Sequence, residues 1–139
     1  MTINKNNYPN DVLAATSLLL AISNADNNID NNEKKIIRCI IIDFFQIDDT
    51  NASEIIEISL NALKESTDVY EFGRTLNKSF KYQDKVDFIC CAFEVAYADN
   101  NLHYLEEHFI KKISYILNVD HKDLVNSKAE MKKYLNINN

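Results

Sequence analysis

The sequence contains one phrase twice, ADNNIDNNE at residues 25–33 and ADNNLHYLE at residues 98–106. The two copies lie 73 residues apart, and flanking apolar residues match at the same offset, as Ile37 and Ile110 do. A polar phrase repeated within matching apolar periodicity is typical of a duplicated supersecondary unit. We therefore predict two copies of a helix-loop-helix unit, each carrying an acidic loop.

Composition favours an all-α fold. The 139-residue chain contains one Gly, one Pro and 46% hydrophobic residues. Turns in β-rich folds rely on Gly and Pro, and the same two residues are the strongest interrupters of helices. Asn is abundant and tolerates the left-handed backbone conformation, so we expect it to replace Gly in several turns. The length predicts a single domain over residues 1–139.

Apolar spacing and capping residues predict a compact bundle of about seven helices. The first is apolar nearly all round, which places it at the centre. Asp30 precedes the second helix, and Glu33 follows it at the spacing of a capping box. The other helices carry apolar residues at intervals of three and four. The predicted helices cover residues 12–22, 31–45, 52–64, 68–79, 83–98, 104–117 and 121–135, with Thr67 and Asp120 capping the fourth and the seventh.

Net charge and hydropathy argue against nucleic acid as a partner and against membrane insertion. A net charge of −6 and a pI near 5.0 argue against nucleic acid, because phosphate binding needs clustered Lys and Arg. No stretch approaches the ~18 apolar residues of a membrane span, and no basic leader precedes the first helix. We therefore expect a cytoplasmic protein without membrane insertion, with peripheral membrane association and oligomeric state left open.

Three cysteines, Cys39, Cys90 and Cys91, form an odd set without CxxC spacing. All three lie within predicted helices, where a Cys usually behaves as a small apolar residue. We therefore expect buried, reduced thiols.

The sequence gives little sign of catalysis. His108 and His121 have no Ser, Cys or Asp partner at a recognisable spacing, and no glycine-rich phosphate loop is present. We predict that the protein is not an enzyme and has no catalytic or cofactor-binding residues. A metal-assisted hydrolytic site is an alternative that requires four residues to converge in a water-accessible pocket, namely Glu94, Asp99, His103 and Glu106.

The acidic loops carry ligands that suit a hard cation. Asp26, Asn28, Asp30 and Glu33 lie within eight residues of the first loop, and Ca²⁺ and Mg²⁺ prefer carboxylate and amide oxygens. The likeness to a calcium EF-hand is partial, because Asn replaces the Gly of the sixth loop position and Ile the Glu of the twelfth.

In the second loop His103 replaces Asp30, and an imidazole caps a helix less well than a carboxylate. This favours a role for His103 in binding Zn²⁺, Mn²⁺ or Ni²⁺ together with Asp99 and Glu106. The candidate metal ligands are therefore Asp26, Asp30, Glu33, Asp99, His103 and Glu106.

A purely structural role for these loops is the alternative that the sequence leaves open. Asp30 and Glu33 can satisfy the amides at the start of the second helix, which leaves no lone pair reserved for a metal. The protein is then an adaptor that binds protein partners through a groove between helices. Whether the two loops form one shared site or two separate sites also stays open.

Three motifs in this chain resemble the tellurite-resistance TerB-like family. They are ADxxIDxxE at residues 25–33, TDVYxFxxxLN at residues 67–77 and VAYADxxLHxxEEH at residues 95–108. The resemblance covers about residues 11–125, nearly the whole domain. The family's usual Gly after each Ala-Asp is Asn27 and Asn100 here, a conservative change where the backbone is left-handed.

The resemblance implies an all-helical bundle built on a repeated helical hairpin, with acidic loops proposed to bind a divalent metal. Related domains occur in tellurium-stress proteins associated with the inner membrane and in a membrane-anchored DnaJ-like co-chaperone. No enzymatic activity is implied, and the expected partners are proteins. The family's acidic positions correspond to Asp26, Asp30, Glu33, Asp99 and Glu106.

Overall fold

The computed structural model describes residues 8–26, 29–65 and 68–137. Within these ranges the regular structure consists of seven α-helices and a short 3-10 turn at Asn24–Asp26, which confirms the predicted all-α fold. The helices are α1 (Asn10–Ser23), α2 (Asn31–Phe45), α3 (Asp49–Glu65), α4 (Val69–Ser79), α5 (Tyr82–Ala96), α6 (Tyr104–Ile116) and α7 (His121–Tyr134).

Helix α1 is the centre of the bundle, as its apolar character predicts. It contacts five other helices, α2 to α6, and Leu13, Leu18 and Leu20 are fully buried along its length. Thr16 is buried as well, and its Oγ1 donates a hydrogen bond to the Val12 carbonyl oxygen at 2.8 Å. The hydroxyl is thereby satisfied within an apolar core. Among the described residues, no helix combines the length and apolarity that a membrane span needs.

Helix α3 begins earlier than predicted, at Asp49 rather than at Ala52. The reason is Asp48, whose Oδ1 accepts a hydrogen bond from the Asn51 amide at 2.8 Å. A carboxylate in this position satisfies an amide that the helix start leaves without a helical partner. By contrast, α2 covers the predicted residues 31–45.

Asp68 caps helix α4. Its Oδ1 accepts from the Tyr70 amide at 3.1 Å and from the Glu71 amide at 3.3 Å. Thr67, the predicted cap, lies outside the described residues. Asp68 was predicted as the first residue of this helix, and the structure places it one position before the helix.

Asp120 occupies the position before α7, as predicted, but its side chain makes no capping hydrogen bond. Its backbone N–H donates instead to the Tyr82 hydroxyl at 3.0 Å. That hydroxyl in turn donates to the Asp123 carboxylate at 2.5 Å. The start of α7 is therefore held by a residue of α5.

Asn takes over the turns that Gly usually makes. The non-Gly residues with positive φ in the described part of the chain are Gln46, Asn100, Asn118 and Asn136. A short polar side chain tolerates this conformation better than most side chains do. Asn100 has φ 68°, which confirms that this substitute for the family's Gly is left-handed, while Asn27 lies outside the described residues.

The one Gly of the chain, Gly73, has a different role, because it lies inside α4 against α6. A Cβ added at Gly73 would overlap Cγ2 of Ile116. The absence of a side chain therefore lets α4 and α6 approach closely. Asn77, one turn further along α4, also reaches α6 and donates to the Ile116 carbonyl oxygen at 3.1 Å.

The helix ends of the two predicted repeat units agree at the 73-residue offset. Helix α1 ends at Ser23 and α5 at Ala96, while α2 begins at Asn31 and α6 at Tyr104. This agreement supports a duplicated helix-loop-helix unit. Superposition of the two units stays a prediction.

Candidate functional site

The first acidic loop ends in a reciprocal helix cap. Asp30 precedes α2, and its Oδ1 accepts a hydrogen bond from the Glu33 amide at 2.8 Å. Glu33 Oε1 accepts from the Asp30 amide at 3.3 Å. These two bonds confirm the predicted capping box. The side chain of Asp26, also a predicted ligand, lies outside the described residues, as does that of Asn28, the other oxygen-bearing side chain of this loop.

The second acidic loop is built from different hydrogen bonds. Asp99 Oδ1 accepts from the Asn101 amide at 3.1 Å, around the left-handed Asn100. His103 precedes α6, and its Nδ1 accepts from the Leu105 amide at 3.3 Å. The imidazole therefore does cap the helix, in the place where the first loop uses a carboxylate.

Capping restricts what else His103 can do. A neutral imidazole that accepts a hydrogen bond at Nδ1 carries its proton on Nε2, so neither nitrogen keeps a lone pair for a metal. The ring also stacks on Tyr104, with centroids 5.8 Å apart and planes 15° apart. His103 can therefore bind a metal through a ring nitrogen only by giving up its cap.

Each loop is followed by a buried glutamate in the first turn of the next helix. Glu33 is 8% exposed and Glu106 is 3% exposed, and each is the third residue of its helix. A carboxylate is expensive to bury, but the first turn favours it through the partial positive charge of the helix start. The sequence predicts where these glutamates lie along the chain, and the structure adds that both are turned inward.

The structure brings the two loops together at one end of the bundle. Asn32 Nδ2, in the first turn of α2, donates to the Ala98 carbonyl oxygen at 3.2 Å, one residue before Asp99. In the other direction, the 3-10 turn at Asn24–Asp26 contacts α6. The first loop therefore lies against the helix that follows the second loop. Sequence reasoning missed Asn32, because nothing in its spacing distinguishes it from the many other Asn residues.

The described residues do not contain a ready group of metal ligands. No three His, Cys, Asp or Glu side chains among them lie together in a way that can hold a metal ion. Asp99, His103 and Glu106 are all described, so they do not form such a group by themselves. This statement does not extend to Asp26, whose side chain lies outside the described residues.

Glu94, the fourth residue of the hydrolytic alternative, has a different neighbour. Burial raises the pKa of its carboxyl, and the nearby Asp43 carboxylate on α2 raises it further. With Asp99, His103 and Glu106 it forms no metal-holding group within the described residues. The convergence that the hydrolytic alternative requires is therefore not found among the described residues.

The three cysteines are free thiols. Cys39 is exposed, so the prediction that all three are buried is wrong, while Cys90 and Cys91 are half-buried. Cys39 lies on the outer face of α2, opposite the residues that pack into the core. Burial raises the pKa of Cys91 to about 12, and the nearby Glu94 carboxylate contributes to that rise.

Comparison with known proteins gives one match. The family model described as "Tellurite resistance protein TerB" matches residues 12–129. No curated protein and no solved structure matches the chain. The matched range contains both acidic loops and all three motifs on which the resemblance rests.

Proposed function

Because this chain belongs to the TerB family over residues 12–129, we propose that it is a non-enzymatic module that binds a divalent cation. The cation binds where the two acidic loops meet, and the module acts through protein partners in a stress or envelope-associated system. The observation that carries the proposal is the hydrogen bond from Asn32 to Ala98, which makes the loops neighbours.

Oxygen chemistry supports the cation. The hydrogen bonds that the structure gives Asp30 and Asp99 use Oδ1 of each carboxylate. These bonds do not use Oδ2 of either residue, and both residues are exposed. Ca²⁺ and Mg²⁺ bind such oxygens, and Ca²⁺ collects six to eight of them. A shared site draws carboxylates from both loops, and we propose that it includes Asp26.

A non-enzymatic role agrees with the surroundings of the histidines. His103, His108 and His121 are all exposed. A general base or acid usually lies in a cleft where burial and neighbouring charges adjust its pKa. The proposal therefore gives these three side chains no part in a reaction.

Thermal unfolding in the presence of metal ions tests the proposal. A cation that binds only the folded state raises the unfolding midpoint, by the equivalent of about 2.7 kcal/mol at one hundred times its Kd. After treatment with EDTA, we expect Ca²⁺, Mg²⁺, Mn²⁺ or Zn²⁺ to raise the midpoint. No shift with any of the four ions would remove the cation from the proposal.

Paired variants decide between one site and two. If the site is shared, Asp26→Asn and Asp99→Asn each abolish the metal-dependent shift. If each loop has its own site, each variant removes about half of the bound metal measured by titration. Glu57→Gln is the matched control, because it removes one exposed carboxylate from α3, far along the chain from both loops.

A second candidate function is a protein adaptor whose acidic loops are structural. The capping box of Asp30 and Glu33 favours it, because those carboxylates already hold the start of α2. This candidate predicts that Asp30→Ala lowers the unfolding midpoint by the same amount with EDTA and with saturating metal. A larger loss in the presence of metal favours the cation-binding function instead.

A further inference from the structure

An apolar groove opens beside the first acidic loop. It has a volume of about 480 Å³, within the range of about 300–1,000 Å³ that is typical of small-molecule sites. Its walls come from the end of α1, the last turns of α3, the start of α4 and the middle of α6. The apolar side chains that line it are Ala21, Ile29, Leu60, Leu63, Val69 and Phe109.

The polar lining of this groove is cationic. Lys64 and Lys112 both line it, together with Asn24, and no carboxylate is found among its described lining residues. This is unexpected in a chain of net charge −6. Asp68, between Lys64 and the start of α4, accepts hydrogen bonds from two backbone amides of α4.

Lys112 has a defined position. Its Nζ lies 5.6 Å from the centroid of the Tyr70 ring, at the start of α4. A cation over an aromatic face is held by the ring quadrupole. Tyr70 directly follows Val69 in the chain, and both Val69 and Lys112 line the groove.

From this arrangement we propose that the groove binds a medium-chain fatty acid. The acyl chain lies against the apolar walls, and the carboxylate lies between the ammonium groups of Lys64 and Lys112. An anion with an unbranched apolar tail matches a groove whose described polar lining consists of Lys64, Lys112 and Asn24.

The size of the groove favours this ligand over a peptide. A helix that docks in a groove uses anchors over two or more turns, and a stable protein interface buries more than about 1,000 Å². A volume of about 480 Å³ suits one small amphiphile. The proposal does not depend on metal binding. Of the residues named here as lining the groove, Ile29 alone belongs to an acidic loop, and it is not a predicted metal ligand.

Calorimetric titration of the full chain in EDTA tests the proposal. Decanoate, used well below its micellar concentration, is expected to bind with a stoichiometry of one. Decanol has the same chain without the charge and reports the apolar contribution. Lys64→Gln with Lys112→Gln is expected to weaken decanoate about tenfold, as loss of two exposed charge contacts implies, and to leave decanol unchanged.

The control pair is Lys111→Gln with Lys122→Gln, which removes two exposed lysines outside the groove. Equal loss of decanoate affinity in both pairs overturns the proposal, because it indicates unspecific attraction to surface charge. Failure of decanoate to bind also overturns the proposal. The same holds if an acidic amphipathic peptide displaces bound decanoate and other medium-chain fatty acids do not, because the groove then binds a peptide. Asp99→Asn separates the two functions, since it removes the metal effect and is expected to leave decanoate binding intact.

Discussion

The two acidic loops start their helices in different ways. At the first loop the side chains of Asp30 and Glu33 each accept a hydrogen bond from the other residue's backbone amide, at 2.8 Å and 3.3 Å respectively. At the second a ring nitrogen accepts a single amide at 3.3 Å. Both loops still place a side-chain acceptor before the helix and a buried glutamate at its third position. The repeat therefore preserves positions more strongly than residue types.

The largest expected effect concerns the packing around the second unit, where α4 lies against α6. Gly73→Ala gains about 1 kcal/mol of helix propensity but overlaps Cγ2 of Ile116. Ile is stiff in a helix, so we expect overpacking of about 1–3 kcal/mol to dominate. Urea unfolding is expected to show a net loss of stability.

A second variant identifies the cause of that loss. Ile116→Ala removes Cγ2, so Gly73→Ala is expected to be much less harmful in that background. Lys78→Ala, on the exposed side of the same helix, is the control and is expected to be nearly neutral. If Gly73→Ala is equally harmful with and without the Ile116 side chain, close helix packing is not its cause.

Exchanging the two caps is the most direct way to sharpen the comparison. We expect Asp30→His to lower the free energy of unfolding by about 1 kcal/mol and His103→Asp to raise it by a smaller amount, because Asp is among the best caps. Urea unfolding in EDTA at a pH where His is neutral measures both. Asn126→Asp in the exposed part of α7 controls for the added charge of His103→Asp. Opposite signs would contradict the assignment of His103 as a cap.

The left-handed residue of the second loop gives a smaller effect. Asn100 has φ 68°, and this conformation is less favourable for Ala than for Asn by up to about 1 kcal/mol. Asn100→Ala is expected to destabilise the protein, whereas Asn100→Gly is expected to be nearly neutral. The repeat predicts the same pair of results at Asn27. A harmless Asn27→Ala would show that the two loops differ in their backbone.

The smallest effect is a pH dependence where the two units meet, at Glu94 of α5 and Asp43 of α2. The pKa of Glu94 is raised above its ordinary value of 4.5, first by burial and then by Asp43. The stability it contributes is therefore complete below pH 4.5 and is lost as the pH rises through the raised pKa. We expect Glu94→Gln to gain stability relative to the natural protein as the pH rises from 4.5 through the raised pKa of Glu94. Thermal melts measure this, and a constant difference across that range would contradict it.

Much of the fold could be predicted from local chemistry. The capping box of Asp30 and Glu33 determines where α2 begins, and the predicted bounds of that helix agree with the structure. The start of α3 was missed because Asp48 is followed by polar residues that also suit a turn. Its hydrogen bond to Asn51 decides between these alternatives, and apolar periodicity does not report it.

The candidate site could be predicted less well, because its important contacts join distant parts of the chain. The hydrogen bond from Asn32 to Ala98 spans 66 residues. The groove likewise brings Lys64 of α3 to Lys112 of α6. Neither pair has a spacing that a sequence pattern reports, since both depend on how the helices pack around α1.

The central position of α1 has a consequence for biosynthesis. This helix leaves the ribosome before its five helical neighbours, yet it contacts all of α2 to α6. Its apolar surface therefore stays exposed to solvent until most of the chain has emerged. Nascent proteins are prone to aggregate at this stage. Chaperones that recognise short apolar segments are expected to engage residues 12–22 before α2 to α6 have emerged.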